Sequence, residues 1–394
     1  MDKEIITGNV EEAFDEAPQV GITDPDEFFA KNAFRIIYQT NNFFLTQIHE
    51  LLTKGEVLNI RPEYQRRLVW STAQKSRLIE SLLLNIPIPP VFFYESSAAR
   101  YEVMDGQQRL NCIREFIAGD FALTGLQVLK PLNGIRFSRC PPRIKRALER
   151  SSVSAIILLL ESETGDAADR LSMRDIRRFI FDRLNTGGKK LNAQEIRNAL
   201  NPGPFNQAII TISRLTLFTD IFDIPPYVET DPNDYYENPV RQKNSLYSSM
   251  GDCELALRYF ALKDDANIRG SMRSMLDRAM ERQMTETEAA AAVNDYRERL
   301  SFLYNLFDEE PFQLLPDQKN RVRVSAAIYD ASMVAINQLW EARAAIEQNK
   351  PVVLQRMQTA LSNADDLITL TGQGNTAQAV RDRINLMVRV FAPV

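Results

Sequence analysis

Histidine is almost absent from this sequence, and its scarcity excludes several classes of enzyme. His49 is the only histidine among 394 residues. An HNH-type nuclease, a Ser-His-Asp hydrolase or a multi-histidine metal site would each need histidines that the chain does not supply. His49 lies in the helical pattern from Thr46 to Leu52, and we interpret it as a surface residue rather than a catalyst.

Cysteine and long apolar runs are also scarce. Cys112, Cys140 and Cys253 are odd in number and far apart, so they fit neither a disulfide framework nor a zinc site and are interpreted as buried or incidental thiols. No apolar run reaches the roughly 18 residues of a membrane span, and the acidic N-terminus does not resemble a signal peptide. We therefore expect a cytoplasmic protein with no membrane partner.

Charge is distributed unevenly along the chain, although the net charge is only −5. Residues 1–30 carry nine acids and one lysine, whereas residues 54–200 carry 24 Lys and Arg against 16 Asp and Glu. A basic middle region in an acidic protein indicates an anionic ligand, either a nucleotide or a nucleic acid. The alternative is that these charges are scattered and solvated, because many lie on helices among acids.

The length of the chain predicts more than one domain. We expect an acidic, flexible arm over residues 1–35 and a first domain over residues 40–225. Residues 226–248, where Pro, Asn and Asp crowd together, are predicted to form a loop or linker. Residues 249–394 repeat apolar stripes at a helical period, which predicts a helical domain.

Local signals predict the elements of the first domain. Val91–Tyr94 and Tyr101–Met104 are expected to pair as two strands, and the helix after Gly106 should end near Gly119. Ser154–Leu160 is predicted to be a buried strand. Further helices are expected to begin at Ser71, Pro142 and Asn192, and another to cover roughly 173–184.

The junction Asp105-Gly106-Gln107-Gln108-Arg109 is the most informative segment. A helix N-terminus offers free N–H groups and a dipole that favours anions, Gly106 lets the backbone approach a ligand, and Arg109 supplies a fork that matches phosphate. Asp105 could hold a divalent cation or orient an attacking water. The alternative is that Asp105 caps the helix and Arg109 is solvated.

A second segment, Arg61 to Trp70, is predicted to be a loop between a strand and a capped helix. Gln65 can donate and accept hydrogen bonds, and Arg66 could grip phosphate. The alternative is that Tyr64 and Trp70 pack inward while the arginines face water.

A third segment, Phe181 to Leu191, contains Asn185, a pair of glycines and Lys189. The glycines can end a helix and present N–H groups, and the lysine adds positive charge. Taken alone, a Schellman-type helix ending explains the segment equally well.

Together, in this order and spacing, the segments resemble the N-terminal (GmrS-like) domain of GmrSD-type modification-dependent restriction endonucleases, a ParB/sulfiredoxin-like domain of prokaryotic phage-defence proteins. The resemblance covers roughly residues 40–260. It implies an α+β fold, with a small mixed sheet in a ParB/sulfiredoxin-like domain followed by a mostly α-helical C-terminal domain. The matching motifs are Tyr64-Gln65-Arg66 with Val69-Trp70, Leu78-Ile79-Glu80-Ser81 with Ile86 to Pro90, Asp105 to Arg109, and Phe181 with Asn185 to Gly188, Leu191 and Glu195-Ile196-Arg197.

The resemblance implies that the protein binds, and in one reading hydrolyses, a nucleoside triphosphate with Mg²⁺. Asp105 and Gln108 would be catalytic, and Asp105 would hold the metal. The expected nucleotide-binding residues are Gln65, Arg66, Gly106, Gln107, Gln108, Arg109, Asn185 and Lys189.

Two departures limit what the resemblance implies. Sulfiredoxins keep a reactive cysteine two places before the motif arginine, where this chain has Gln107, so sulfiredoxin chemistry is not expected. The HNH nuclease half of GmrSD proteins needs a histidine set that is absent. We therefore expect a nuclease, if one acts with this protein, to be a separately encoded subunit; a second copy of the chain is a further candidate partner.

The competing hypothesis is a DNA-binding or adaptor protein without catalysis. Arg136, Arg143, Lys145 and Arg146 would then contact the phosphate backbone. No recognition helix stands out, however, and a pI near 5.4 is low for a dedicated DNA-binding protein. Direct nuclease action around Asp105 ranks last, because one carboxylate is thin support for phosphodiester cleavage.

Overall fold

The computed structural model describes residues 4–6, 37–54, 57–59, 70–97, 100–159, 180, 183, 191–201, 203–227, 238–316, 322–371, 374 and 376–393. The chain divides into two compact units. We call Gln19–Leu191 the sheet unit, and Asn192–Val394 together with Met1–Pro18 the helical unit. A small mixed sheet thus precedes a mostly helical region, which confirms the predicted α+β class.

The sheet unit is built on one mixed sheet. After β1 (Glu4–Ile6), which belongs to the helical unit, the described strands are β2 (Ile37–Phe44), β3 (Leu58–Asn59), β4 (Val91–Ser97), β5 (Arg100–Asp105) and β6 (Ser152–Leu159). Their order in the sheet is β2-β6-β4-β5-β3. β4 and β5 form the predicted hairpin; β6 runs parallel to β4 and antiparallel to β2, and β3 runs parallel to β5.

The α-helices of this unit whose bounds the structure describes are α1 (Leu45–Lys54), α2 (Thr72–Leu83), α3 (Gln107–Ala118) and α4 (Pro142–Arg150). The signals at their ends act as predicted. Ser71 and Gln74 form a reciprocal capping box on α2, and Gly119 ends α3 in the left-handed region at φ 87°. The helices and the sheet share one core, in which alternate residues of β6 are buried together with apolar residues of α2 and α3: Val153, Ala155, Ile157, Ile79, Leu110, Ile113 and Phe116.

The helical unit contains many short helices and a few longer ones. Those described are α5 (Ala193–Leu200), α6 (Pro204–Ser213), α7 (Thr216–Ile221), α8 (Pro239–Lys243), α9 (Ser245–Ser248), α10 (Gly251–Leu262), α11 (Met272–Met280), α12 (Glu286–Leu306), β7 (Arg323–Ser325), α13 (Ala326–Gln338), α14 (Arg343–Gln348), α15 (Lys350–Ser362), α16 (Ala364–Thr371) and α17 (Ala377–Phe391). α13 packs against α17, and α12 packs against α6. The predicted capping box of Asn192 and Glu195 begins α5.

The prediction of a loop or linker over residues 226–248 needs correction. The segment 226–248 is not a loop throughout, because α8 and α9 lie in it, capped by the side chains of Asn238 and Asn244. The guanidinium of Arg241 is buried there and donates to the carbonyls of Pro225 and Pro226, so tertiary contacts order a stretch rich in turn residues.

The N-terminal arm and the domain boundary also differ from expectation. Residues 4–6 of the predicted flexible arm form β1, which pairs in parallel with β7. The division between the units falls between Leu191 and Asn192 rather than at residue 225, because α6 packs on α10 and α12. The helix predicted over 173–184 lies outside the described residues, except that Ile180 and Arg183 are helical.

Some predictions concern single residues. Cys112, Cys140 and Cys253 are buried free thiols, as predicted. His49 is half-buried rather than on the surface, and its Nδ1 atom is buried without a hydrogen-bond partner. No described helix is long and apolar enough to cross a membrane.

Candidate functional site

The junction between β5 and α3 depends on the glycine at its centre. Gly106 has φ 96° and ψ 9°, a left-handed conformation that side chains other than glycine rarely adopt. A Cβ atom at this position would also lie 2.9 Å from the Cβ of Val91. Both the backbone conformation and the packing therefore require glycine. The space that a side chain would occupy at Gly106 is thus filled by Val91 of β4.

Arg109, one turn into α3, is held by two partners. Its Nη2 donates to Oδ2 of Asp105 at 2.6 Å, and its Nη1 donates to the carbonyl of Pro89 at 2.7 Å. Its side chain is 12% exposed. The guanidinium therefore ties the start of α3 to the end of β5 and to the proline-rich segment before β4. The alternative of a solvated Arg109 is wrong.

Asp105 is the last residue of β5 and does not cap the helix. The cap residue is Gly106, no side chain caps this end of α3, and the Asp105 carboxylate accepts from Arg109 instead. Its side chain is 32% exposed, so its remaining acceptor sites face solvent in part. Among the described residues no group of three or more His, Cys, Asp or Glu side chains could hold a metal ion.

The two glutamines between Gly106 and Arg109 carry buried polar atoms without partners. Gln107 is 6% exposed, and its Nε2 donor has no hydrogen-bond partner. Oε1 of Gln108, an acceptor, is likewise buried and unpartnered. Unmade hydrogen bonds of this kind cost roughly 1–3 kcal/mol each, so their persistence calls for an explanation. They lie beside an uncapped helix N-terminus, where backbone N–H groups are also unused.

The basic residues predicted to contact nucleic acid fall into two groups. Arg136 donates to the carbonyl of Gly119, and Lys145 donates to that of Ser138, so both are tied to the protein surface. Arg143 and Arg146 are exposed on α4, and among the described residues neither has a carboxylate partner. Arg146 donates to the carbonyl of Pro142 at 3.3 Å, one turn earlier in the same helix.

A third exposed arginine of α4 completes a basic face that the sequence reading missed. Arg150 follows Arg143 and Arg146 at helical spacing, so the three lie within about 60° of arc on one side of the helix. The spacing of seven and four residues was the signal that could have revealed it.

Two of the matching motifs contain residues whose roles are structural. The Glu80 carboxylate is buried and accepts from the backbone N–H groups of residues 127, 128 and 129, at 3.2, 2.9 and 2.7 Å. Burial raises the pKa of this carboxyl, but the three N–H donors outweigh it and hold the pKa below its ordinary value. Within the helical unit, Arg197 is buried and pairs with Asp277 at 2.7 Å and Glu254 at 3.2 Å.

The structure brings Asp105, Gly106, Gln107, Gln108 and Arg109 together at one strand-to-helix junction. The other predicted nucleotide-binding residues, namely Gln65, Arg66, Asn185 and Lys189, lie outside the described residues. The partners that complete the junction, Val91 and the carbonyl of Pro89, were missed. Every residue has a backbone carbonyl, so the sequence gives no sign that the carbonyl of Pro89 would bind Arg109. The proline-rich motif from Ile86 to Pro90 did single out this segment.

Residues 48–201 match the sequence model of a family described as GmrSD restriction endonuclease, N-terminal domain. The match spans α1 to α5 and includes the hairpin and the junction. This part of the chain is therefore similar in sequence to GmrSD N-terminal domains. Searches among characterised proteins and among solved structures gave no significant match. The GmrSD N-terminal domain points to a component of a phage-defence restriction system.

Proposed function

We propose that the protein is the nucleotide-binding component of such a restriction system, and that nucleotide phosphates bind at the N-terminus of α3. One observation carries the proposal: Gln107 is buried with an unpartnered Nε2 donor beside an uncapped helix N-terminus. Backbone N–H groups and a side-chain amide donor together make an anion site. The geometry favours an anion in general, and the resemblance to GmrSD N-terminal domains indicates that this anion is a nucleotide.

The residues divide into those that contact the phosphates and those that shape the junction. The N–H groups at the start of α3 and Nε2 of Gln107 would donate to phosphate oxygens. Gly106 sets the turn, and Arg109, anchored to Asp105 and Pro89, keeps α3 at a fixed angle to β5. By the resemblance, Gln65 and Arg66 would be the facing wall of the pocket, and Asn185 and Lys189 would add donors.

Hydrolysis is the further step of the proposal. Asp105 and Gln108 would orient the attacking water, because the carboxylate keeps acceptor sites exposed and Oε1 of Gln108 is free to accept. A Mg²⁺ ion carried by the nucleotide would neutralise phosphate charge. Catalysis of this kind rests on positioning rather than covalent chemistry, which suits a site with no reactive cysteine or histidine.

The test is a nucleotide screen by thermal shift on the full chain, with and without magnesium. A bound nucleoside triphosphate should raise Tm because it stabilises the folded state. Gln107→Glu replaces the amide donor by a negative acceptor of similar size, and the shift should be lost. Gln127→Glu, at an exposed position of the same unit, is the matched control. The absence of any shift in the parent protein would contradict nucleotide binding.

A second candidate function rests on the basic face of Arg143, Arg146 and Arg150. A one-sided row of exposed guanidiniums suits the phosphate backbone of a nucleic acid. Glu149 is the only acid of α4. This face could bind DNA in a protein that also binds a nucleotide, or in a non-catalytic adaptor. Binding that survives Gln107→Glu but fails when the three arginines are neutralised would favour the adaptor.

A further inference from the structure

The strand β2 is exposed to an unusual degree. It lies at one edge of the five-stranded sheet and pairs with β6 over all eight residues without a register shift. Residues 38–42 are all exposed, and because successive side chains of a strand point to opposite faces, both faces of its middle lack a cover. Its two exposed aromatic side chains, Tyr38 and Phe44, are 64% and 48% exposed.

The outward hydrogen-bonding groups of β2 can be assigned from its pairing with β6. The N–H of Leu45 donates to the carbonyl of Ser151 at 3.1 Å, one residue beyond the Phe44–Ser152 pair. Because hydrogen-bonded and non-bonded pairs alternate along an antiparallel ladder, the odd-numbered residues bond β6. Tyr38, Thr40 and Asn42 therefore direct their N–H and C=O groups away from the sheet.

Residue 44 follows the same alternation. The N–H of Phe44 points outward and donates to Oε1 of Gln47 at 2.9 Å. Of the outward-facing backbone groups of β2, those at the Phe44 end are therefore partly bonded within the chain.

The usual protections of an edge strand are missing here. Natural edges carry charges, proline or bulges that prevent pairing with another chain. The sequence of β2, IYQTNNFF, has no charged residue and no proline, and its ladder has no bulge. Since identical copies would bring identical side chains together, the lack of charge also means that nothing in this strand repels a second copy.

We propose that β2 is the dimerisation edge of this protein and that its partner is a second copy of the chain, paired antiparallel about a two-fold axis through Asn41. A two-fold axis perpendicular to the sheet keeps each face continuous, so only residues of the same face can oppose one another. In the register centred on Asn41, Tyr38 faces Phe44 of the partner subunit. Thr40 faces Asn42 of the partner subunit.

This register pairs the exposed aromatic side chains and the outward-facing N–H and C=O groups of β2 with those of the second copy. It sets each exposed aromatic side chain against the other across the interface, twice by symmetry, and such pairs stabilise sheets. The outward groups of Thr40 and Asn42 fall into hydrogen-bonded pairs. Asn41 meets Asn41 of the partner subunit, and carboxamides can both donate and accept, so two identical side chains can bond each other.

The proposal is tested by introducing a charge at residue 41 of the full chain and measuring the oligomeric state by sedimentation over a concentration series. The parent protein should form a dimer, and both Asn41→Asp and Asn41→Lys should be monomeric, because like charges would meet at the axis. Mixing the two variants should restore a dimer, which a variant damaged in folding could not do. Gln358→Glu, on an exposed face of α15, should leave the dimer intact. A parent protein that is monomeric throughout, or a dimer unaffected by either charge, overturns the proposal.

Disulfide capture tests the register. Residues at a non-hydrogen-bonded antiparallel pair have Cα atoms about 4.5 Å apart, which a disulfide can span. Asn41→Cys should therefore give a covalent dimer on oxidation, and the three native cysteines are buried. Gln39→Cys is the matched control, because its two copies would lie about 14 Å apart along the strands. Equal or greater cross-linking at residue 39 would exclude this register.

Discussion

The guanidinium of Arg109 donates to the Asp105 carboxylate at 2.6 Å, one helical turn before it in the chain. The two outer residues of the motif are therefore partners of each other. An arginine that reads as a phosphate ligand in the sequence fixes the angle between strand and helix in the structure. Loss of activity on replacing Arg109 would thus combine any ligand contact with a change in the junction.

The first prediction concerns this ion pair. Arg109→Gln should destabilise the protein by about 1–3 kcal/mol, because it leaves the Pro89 carbonyl and the Asp105 carboxylate without their donor. Asp105→Asn should cost less, since Asp105 is partly exposed and retains water. Chemical denaturation of both variants and the double variant gives the coupling energy. Fully additive effects would show that the pair contributes nothing.

The second prediction concerns the glycine between them. Gly106→Ala should destabilise the protein by roughly 1–3 kcal/mol, because φ 96° disfavours a side chain and Val91 occupies its space. Val91→Ala makes room for the new Cβ but does not change the backbone angle. The double variant should therefore be more stable than the sum of the single effects predicts. Gly119→Ala is the control, since φ is also positive there but nothing lies within 4 Å.

The third prediction is a pH dependence that comes from Glu80. The pKa of this carboxyl is lowered in the folded state, so its ionised form stabilises the protein above the ordinary pKa of about 4.5, and that stability is lost as the pH falls. Glu80→Gln should cost about 1.5–3 kcal/mol at neutral pH and flatten the acid limb of the stability curve. Denaturation series at several pH values measure both. Parallel curves for parent and variant would contradict the assignment.

Local signals in the sequence predicted what local physics decides. The capping boxes at Ser71 and Asn192, the helix end at Gly119 and the β4–β5 hairpin each depend on residues close together in the chain. The strand-to-helix junction was predicted for the same reason. The position of the junction follows from the residues immediately before and after it.

The partners within the junction and around it could not be predicted, because they come from distant parts of the chain. Glu80 bonds N–H groups more than forty residues away, and Arg109 bonds a carbonyl twenty residues before it. Arg241 is buried in a stretch whose composition is typical of a loop. Each outcome depends on tertiary contacts that periodicity and turn signals do not encode. The unpartnered amide of Gln107 could not be predicted for the same reason, because its burial depends on tertiary contacts.

The fourth prediction concerns the basic face of α4. If Arg143, Arg146 and Arg150 contact phosphates, replacing all three by Gln should weaken binding to DNA of any sequence and lower the slope of log K against log salt by up to about 3, since each lost contact removes about 0.9. The comparison variant replaces Arg136 and Lys145, whose side chains are tied to backbone carbonyls outside α4, and should change the slope less. Fluorescence anisotropy at several salt concentrations measures the slopes. Equal slopes for the two variants would show that this face of the helix is solvated and does not hold a nucleic acid.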